Sequence, residues 1–287
     1  MTWTAKITYY CLRFIARNLG AKSKQARLKV AQLLASFVYH YIPIRKKQAE
    51  INLQKAFPQK PPFWINRILK RCYILFCSNF IEFITLPKSI EDTTIKVHGQ
   101  KVLEKAFKQG KGVILITAHF GMWEILVYWL GVNGYPCYGI IQRQRNRGAD
   151  LFFREIRSKS QVHQLYKNTP VETMHKVLKK GGVLVLASDQ DARKKGVFVK
   201  FFNQLSSTPK GAAIFHLRTK APAVFATAYK NNTDDLTLHF QSVIAETAKS
   251  VRNFTQAYTA MLEQMVREYP DHYFWFHRKW KTKAPSI

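Results

Sequence analysis

Beyond Thr94, short apolar runs alternate with amphipathic stretches, and that alternation sets the expected fold class. The apolar runs at Ile95–His98, Val113–Thr117, Cys137–Ile141, Val183–Ser188, Ala223–Tyr229 and Leu236–Val243 have the length and composition of half- or fully buried strands. Between them, apolar positions recur at helical spacing over Val102–Gln109, Glu124–Val132, Asp150–Lys159, Val171–Lys180 and Pro209–Thr219, and a last helix is predicted over Val251–Glu268. Such strand–helix alternation predicts an α/β fold, a largely parallel sheet flanked by helices. Before Thr94 the pattern is helical: a lead-in over residues 1–48, then a second helical section to about Leu86, broken by the loop from Phe57 to Pro62. With no repeat and no low-complexity linker, the pattern predicts a helical segment over 1–48 followed by one catalytic domain over 49–287.

Charge narrows the partners. The 287-residue chain carries 46 Lys and Arg against 17 Asp and Glu, a net charge of +29. An imbalance of that size speaks to binding rather than to fold. No acid occurs before Glu50, whereas Lys6, Arg13, Arg17, Lys22, Lys24, Arg27 and Lys29 are interleaved with Trp3, Tyr9, Tyr10, Phe14, Phe37, Tyr39 and Tyr41. The C-terminal run His272 to Lys281 repeats the mixture. Tyr and Trp among Lys and Arg favour a lipid headgroup layer, where each basic residue contributes about 1 kcal/mol near anionic lipid. The same mixture suits single-stranded nucleic acid, a more remote reading because no zinc-finger, RRM or KH pattern is present.

Val30 to Ile44 is too short and too polar to span a bilayer, which takes about 20 apolar residues. No cleavable signal is visible, so the N-terminus is expected to lie on a membrane rather than cross it. Cys11, Cys72, Cys77 and Cys137 lack CxxC or zinc spacing, which predicts reduced thiols, with neither a disulfide framework nor a metal.

The candidate chemistry sits at the ends of the predicted strands, where ligands bind in open α/β sheets. After the strand ending at Thr117 come His119 and, five residues on at the start of a helix, Glu124. In one continuous helix such a pair would point about 140° apart, so the two meet only if His119 lies in the turn, for which Gly121 supplies freedom. Imidazole plus carboxylate is the base and orienter of a catalytic triad without its serine, an arrangement suited to deprotonating a substrate hydroxyl. A buried histidine beside an acid is the plainer alternative. After Ile141 come Gln142, Arg143, Arg145, Asn146 and Arg147; after Ser188 come Asp189, Gln190 and Asp191. Farther on, Phe201 and Phe202 are apolar enough for an acyl channel or the core, and Thr208-Pro209 reads as an N-cap followed by proline at the first helical position.

Taken in order, these clusters resemble the bacterial lipid A late acyltransferases, the lauroyl/myristoyl transferase family of the lysophospholipid acyltransferase superfamily. The matching positions are Asn52-Leu53-x-x-Ala56-Phe57-Pro58, Gly110 to Leu115 leading into His119 to Glu124, Asp189-Gln190-Asp191, Gly196 to Phe202, Thr208-x-x-Gly211, and Tyr273-Phe274-Trp275-x-His277-Arg278. The resemblance implies a glycerol-3-phosphate acyltransferase-like fold and an O-acyltransferase without a cofactor, at the cytoplasmic face of the bacterial inner membrane. It implies acyl carrier protein, or acyl-CoA, as donor and a phosphorylated glycolipid such as a lipid A precursor as acceptor; another glycolipid or a phospholipid is the alternative. His119 is then the general base and Glu124 its orienter, with Arg143, Arg145, Asn146, Asp189, Gln190, Phe201, Phe202 and Thr208 binding substrate. Both the acidic carrier and the phosphates account for the basic charge, and nucleic acid is not expected. The chain departs from the family at Gln142, where a basic residue is usual, and at Lys200 and Asn203, where proline and glycine are usual.

Overall fold

The computed structural model describes residues 1–230, 235–244 and 250–284. Four helices lead the chain: α1 (Trp3–Gly20), α2 (Lys24–Tyr41), α3 (Lys46–Ala56) and α4 (Pro62–Ile84), followed by the single turn α5 (Lys88–Glu91). Thr2 and Ser23 cap α1 and α2 by accepting from the amides of Ala5 and Ala26, and Pro62 opens α4, where its missing N–H costs nothing. Strands and helices then alternate: β1 (Ile95–His98), α6 (Gln100–Phe107), β2 (Val113–Thr117), α7 (Trp123–Val132), β3 (Cys137–Ile141), α8 (Arg147–Ser158), β4 (His163–Tyr166), α9 (Val171–Lys179) and β5 (Val183–Ala187). A hairpin of β6 (Val197–Phe201) and β7 (Gln204–Thr208) precedes α10 (Gly211–Thr219), β8 (Ala223–Lys230), β9 (Leu236–Ser242) and α11 (Val251–Glu268).

Seven strands make the main sheet, in the order β1-β9-β8-β2-β5-β3-β4, and each neighbouring pair is parallel except β8–β9. Every residue of β2 is buried because helices cover both faces, which is what an uninterrupted Val-Ile-Leu-Ile-Thr run requires. On one face Ile114, Ile116, Leu184 and Phe225 belong to a core with α9 and α10, extended by residues of α3, α4 and α11; on the other Leu115, Val185 and Val224 pack with Leu103, Leu126 and Leu130 of α6 and α7. The predicted strands and helices are present, four of them with identical bounds and the rest with ends shifted by at most three residues.

Three features differ from the sequence reading. Strand β4 is a mostly polar edge strand without an apolar run. The β6–β7 hairpin turns on Phe202 and Asn203, both at positive φ (51° and 59°), a two-residue turn that usually advertises itself by Asn-Gly. Thr208 ends β7 rather than capping a helix: α10 begins at Gly211 without a side-chain cap, and the Thr208 hydroxyl lies 3.3 Å from Lys279 Nζ.

The leading helices are anchored to the sheet domain. Tyr9 on α1 donates to both carboxylate oxygens of Glu155 on α8 (2.8 and 2.9 Å), and α2 packs along α4. Arg27 on α2 is fully buried; its Nη1 donates to the Lys22 carbonyl (2.8 Å) and to Asp92 (3.2 Å), and Nη2 lies 3.8 Å from the buried Glu82 of α4. Removing one member of a buried ion pair leaves the other charge dehydrated, at a typical cost of about 3–5 kcal/mol. Arg27→Met is therefore expected to lower the urea midpoint strongly, and adding Glu82→Gln to recover part of the loss. An unchanged midpoint in the single variant would show that the cluster contributes little.

The C-terminal segment past α11 runs back across the carboxyl ends of the strands as a strap. Asn52 of α3 donates to the carbonyls of Trp275 and His277 (2.6 Å each), and the Trp275 indole donates to the Pro270 carbonyl (2.6 Å). The strap's own Tyr273 and Trp275 and, beneath them, Phe57 and Phe202 pack edge to face, the geometry that ring quadrupoles favour.

Candidate active site

Strand register brings the central pair together. Strands β2 and β5 are adjacent and parallel, with Thr117 opposite Ala187 and the Ser188 amide donating to the Thr117 carbonyl. Two residues further along each chain stand His119 and Asp189. The imidazole Nδ1 is 2.8 Å from Asp189 Oδ1, and an ionised carboxylate accepts only, so Nδ1 carries the proton. Nε2 is left as the basic atom, with no hydrogen bond to it among the described residues.

Burial and pairing compete over both charges. Burial pushes the His119 imidazole down, but the charge and hydrogen bond of Asp189, helped by Glu124, outweigh it and hold the imidazole above the ordinary histidine range. Burial pushes the Asp189 carboxyl up, and the pull of His119 and Lys279 outweighs that, holding it below the ordinary carboxylate range. The pair is thus an anionic carboxylate fixing a basic imidazole, the state a general base needs.

The turn that presents His119 is pinned on each side. The Phe274 amide donates to the His119 carbonyl (3.0 Å), the Gly121 amide to the His272 carbonyl (2.8 Å) and the Met122 amide to the Ala228 carbonyl (2.7 Å). Gly121 has φ +55°, and a Cβ there would stand 1.9 Å from the Ala228 carbonyl oxygen, so only glycine fits. Trp123 packs edge-on to the imidazole at 5.3 Å between ring centroids.

The expected pairing of Glu124 with His119 gives way to a different arrangement. Glu124 takes two hydrogen bonds from Arg157 of α8, from Nη2 at 2.6 Å and Nε at 3.1 Å, while Asp189 holds the imidazole directly. Glu124 lies in the first turn of α7, and the guanidinium fork of Arg157 matches a carboxylate better than an imidazole does. Its effect on His119 is through space.

Two cavities meet at this ion pair. One, of about 280 Å³, runs from His119, Trp123, Glu124 and Arg157 past Gln142, Gln144 and Gln164 to Val127, Ile140, Val162 and Val185 under α7. The other, of about 290 Å³, lies between α4 and α8 and is lined by Phe76, Phe80, Phe83, Met122, Ile125, Phe153 and Phe274. Trp123, Glu124, Gln144, Arg157 and Phe83 border both.

Asn146 caps α8, accepting from the amides of Gly148 (2.9 Å) and Ala149 (3.1 Å), and donates to Thr8 of α1. Arg143 stacks over the Tyr166 ring at 4.7 Å, and Arg143 and Arg145 are exposed and line neither cavity. The Gln190 amide lies 3.4 Å from His119 Nδ1. Phe201 and Phe202 are buried in the core against Tyr273, Trp280, Phe57 and Trp275 instead of lining a channel, because the inward face of the β6–β7 hairpin packs under the strap. Arg157 and the phenylalanines of α4 and α8 have no pattern in the sequence that marks them; a lone arginine in a chain this rich in them carries no signal. Among the described residues no cluster of three His, Cys, Asp or Glu stands ready to hold a metal.

The model of the family described as bacterial lipid A biosynthesis acyltransferase matches residues 3–282. The chain is also similar to a phosphatidylinositol mannoside acyltransferase of Mycolicibacterium smegmatis, 23% identical over 182 residues. That alignment spans 62% of this chain and 60% of the relative's own length.

Proposed function

We propose, because this chain belongs to the bacterial lipid A biosynthesis acyltransferase family, that it moves a fatty acyl chain from a thioester donor to a hydroxyl of a membrane glycolipid. The observation that carries this reading is His119 held by Asp189 at 2.8 Å, with its second nitrogen unbonded at the edge of a cavity. Nε2 takes the proton of the acceptor hydroxyl as that oxygen attacks the thioester carbonyl. The tetrahedral intermediate collapses by expelling the thiolate, which recovers the proton from the imidazolium, leaving an ester and a free thiol. Asp189 fixes the tautomer and, with Glu124, stabilises the imidazolium. Arg157, with Nη1 outside its bonds to Glu124, is the cation placed to stabilise the oxyanion or an acceptor phosphate. The phenylalanine-lined cavity suits the acyl chain. Acyl carrier protein, or acyl-CoA, is the proposed donor. The acceptor is a lipid A precursor or, as the mycobacterial relative's name suggests for that protein, a mannosylated phosphoinositide or similar glycolipid. Lipids extracted from a strain lacking this chain test the reading. Loss of one acyl chain from a glycolipid, restored by the wild-type gene and not by one encoding His119→Ala, is expected; an unchanged lipid profile would overturn it.

No helix among the described residues is long and apolar enough to cross a membrane. Trp3, Ile7, Tyr10 and Phe14 nevertheless form an exposed line along α1, and Val30, Leu33, Phe37 and Tyr41 form another along α2, both amid basic residues. This surface is proposed to seat the protein on the anionic cytoplasmic face of the inner membrane. Purely ionic attachment is screened within about 3 Å in 1 M salt. A 1 M salt wash is therefore expected to leave the protein on membranes, and its complete release would refute the apolar contact.

Transfer is proposed to be direct, without an acyl-enzyme. Burial pushes the thiols of Cys72, Cys77 and Cys137 up, Cys77 to about 11 and Cys137 to about 12, so they stay protonated and poorly nucleophilic, and Cys11 lies exposed on α1. Replacing all four with alanine is expected to keep most of the specific activity of the folded protein. Loss of turnover with retained fold would implicate a thiol.

A further inference from the structure

The strap carries a buried cation that the proposed chemistry does not use. Lys279 is 2% exposed, and its Nζ donates to the backbone carbonyl of Asp189 at 2.6 Å and to the Thr208 hydroxyl at 3.3 Å, with the Phe201 ring 5.3 Å away. Dehydrating an ammonium is costly, and among the described residues no carboxylate stands within ion-pair distance to offset it. A core position would be better filled by leucine or methionine. The carbonyl it grips belongs to the residue whose side chain holds His119.

Two more strap contacts fasten the same loop. The Asp191 amide donates to His277 Nε2 (3.0 Å), and the Thr282 hydroxyl donates to Asp191 Oδ2 (2.9 Å). These secure the loop downstream; among the described strap residues, Lys279 is the one that takes hold at Asp189 itself. We propose that Lys279 is a positioning residue for acyl transfer: its buried ammonium grips the Asp189 carbonyl and so keeps the Asp189 carboxylate in line with His119 Nδ1. This rests on His119 acting as the base. Electrostatics act in the same sense. Burial pushes the Lys279 ammonium down to about 8, with Asp189 and Asp191 pulling it partly back, so it is still largely charged at neutral pH. Its charge helps hold Asp189 ionised.

Lys279→Met is one atom shorter and keeps most of the apolar bulk while removing charge and donor. Wild-type turnover is measured first, since its absence would sink the acyltransferase reading rather than this one. In the variant, kcat is expected to fall about tenfold or more, as small misplacements of catalytic groups do. KM should stay within about threefold, because no substrate contact is lost. In an Asp189→Asn background the same change should cost about twofold or less, since its target is already gone.

The imidazole titration separates positioning from bulk destabilisation. The groups facing the pair are Glu124 of α7 and Tyr273, His277 and Lys279 of the strap, while Asp191 of the same loop acts on His277 and Lys279. Removing a cation would by itself raise the His119 pKa, whereas a carboxylate that drifts gives up its support and lowers it. Positioning predicts the fall, read by NMR on folded variant, together with loss of the Asp-bonded Nδ1 proton signal. If the methionine variant does not fold, Lys279→Gln, one atom shorter and uncharged, carries the same readouts with a smaller loss. Near-normal kcat, full additivity with Asp189→Asn, or a His119 pKa that holds or rises in the folded variant would overturn the proposal.

Discussion

His119→Ala is expected to lower acyl transfer by about 10²–10⁴-fold, the usual contribution of a positioned general base. Alanine also leaves the buried Asp189 carboxylate without its imidazole partner, so some loss of thermal stability should accompany the loss of rate. His119→Asn separates the two effects. Its amide retains a donor for Asp189 but has no basic nitrogen, so it should recover stability without recovering turnover. The rate per folded molecule, with folding checked by circular dichroism, is the deciding quantity. Turnover within a fewfold of wild type in either variant would remove His119 from the chemistry.

Asp189→Asn is expected to be comparably severe and to move the pH profile in a defined direction. In the wild type, Asp189 raises the His119 pKa against the effect of burial, so the acid limb of kcat/KM should lie above the ordinary histidine value of about 6.5. The base works when neutral, and activity therefore rises with pH through that limb. Asparagine removes the countercharge while burial remains, so the limb should shift to lower pH. The neutral amide can also bond to the wrong imidazole tautomer, placing the proton on Nε2, and a rate loss of about 10²-fold or more follows from that. Glu124→Gln should shift the limb in the same direction but less, because Glu124 acts through space and is tied to Arg157. A larger effect at Glu124 than at Asp189 would reverse the roles proposed for the two carboxylates.

The contrast between these carboxylates shows what was legible in the sequence. Strand–helix alternation is a local signal, and it located the strands of the main sheet apart from the polar edge strand β4. The rule that ligands gather at strand carboxyl ends flagged both the His119 turn and the Asp189 loop. Their partnership was not legible, because His119 and Asp189 are 70 residues apart and meet only through the adjacency and register of β2 and β5. Short spacing pointed to Glu124 instead, and Arg157, 33 residues downstream, had no pattern to announce that it would claim that carboxylate. The aromatic C-terminal run read as a surface element, yet Tyr273, Trp275 and Lys279 are buried, since the strap turns inward across the strand ends. Phe201 and Phe202 show the same limit: apolar character marks burial but does not distinguish a channel wall from a core.

The central claim is that His119 delivers an acyl group directly from donor to glycolipid hydroxyl, and mass spectrometry of one purified reaction tests it most directly. Wild-type protein with an acyl thioester and a glycolipid acceptor should convert the acceptor to a species heavier by one acyl ester. Donor alone should leave the intact protein mass unchanged, and His119→Ala should form no product on the same timescale. An acylated protein that passes its chain to the acceptor, or equal product from the His119→Ala variant, would contradict the account.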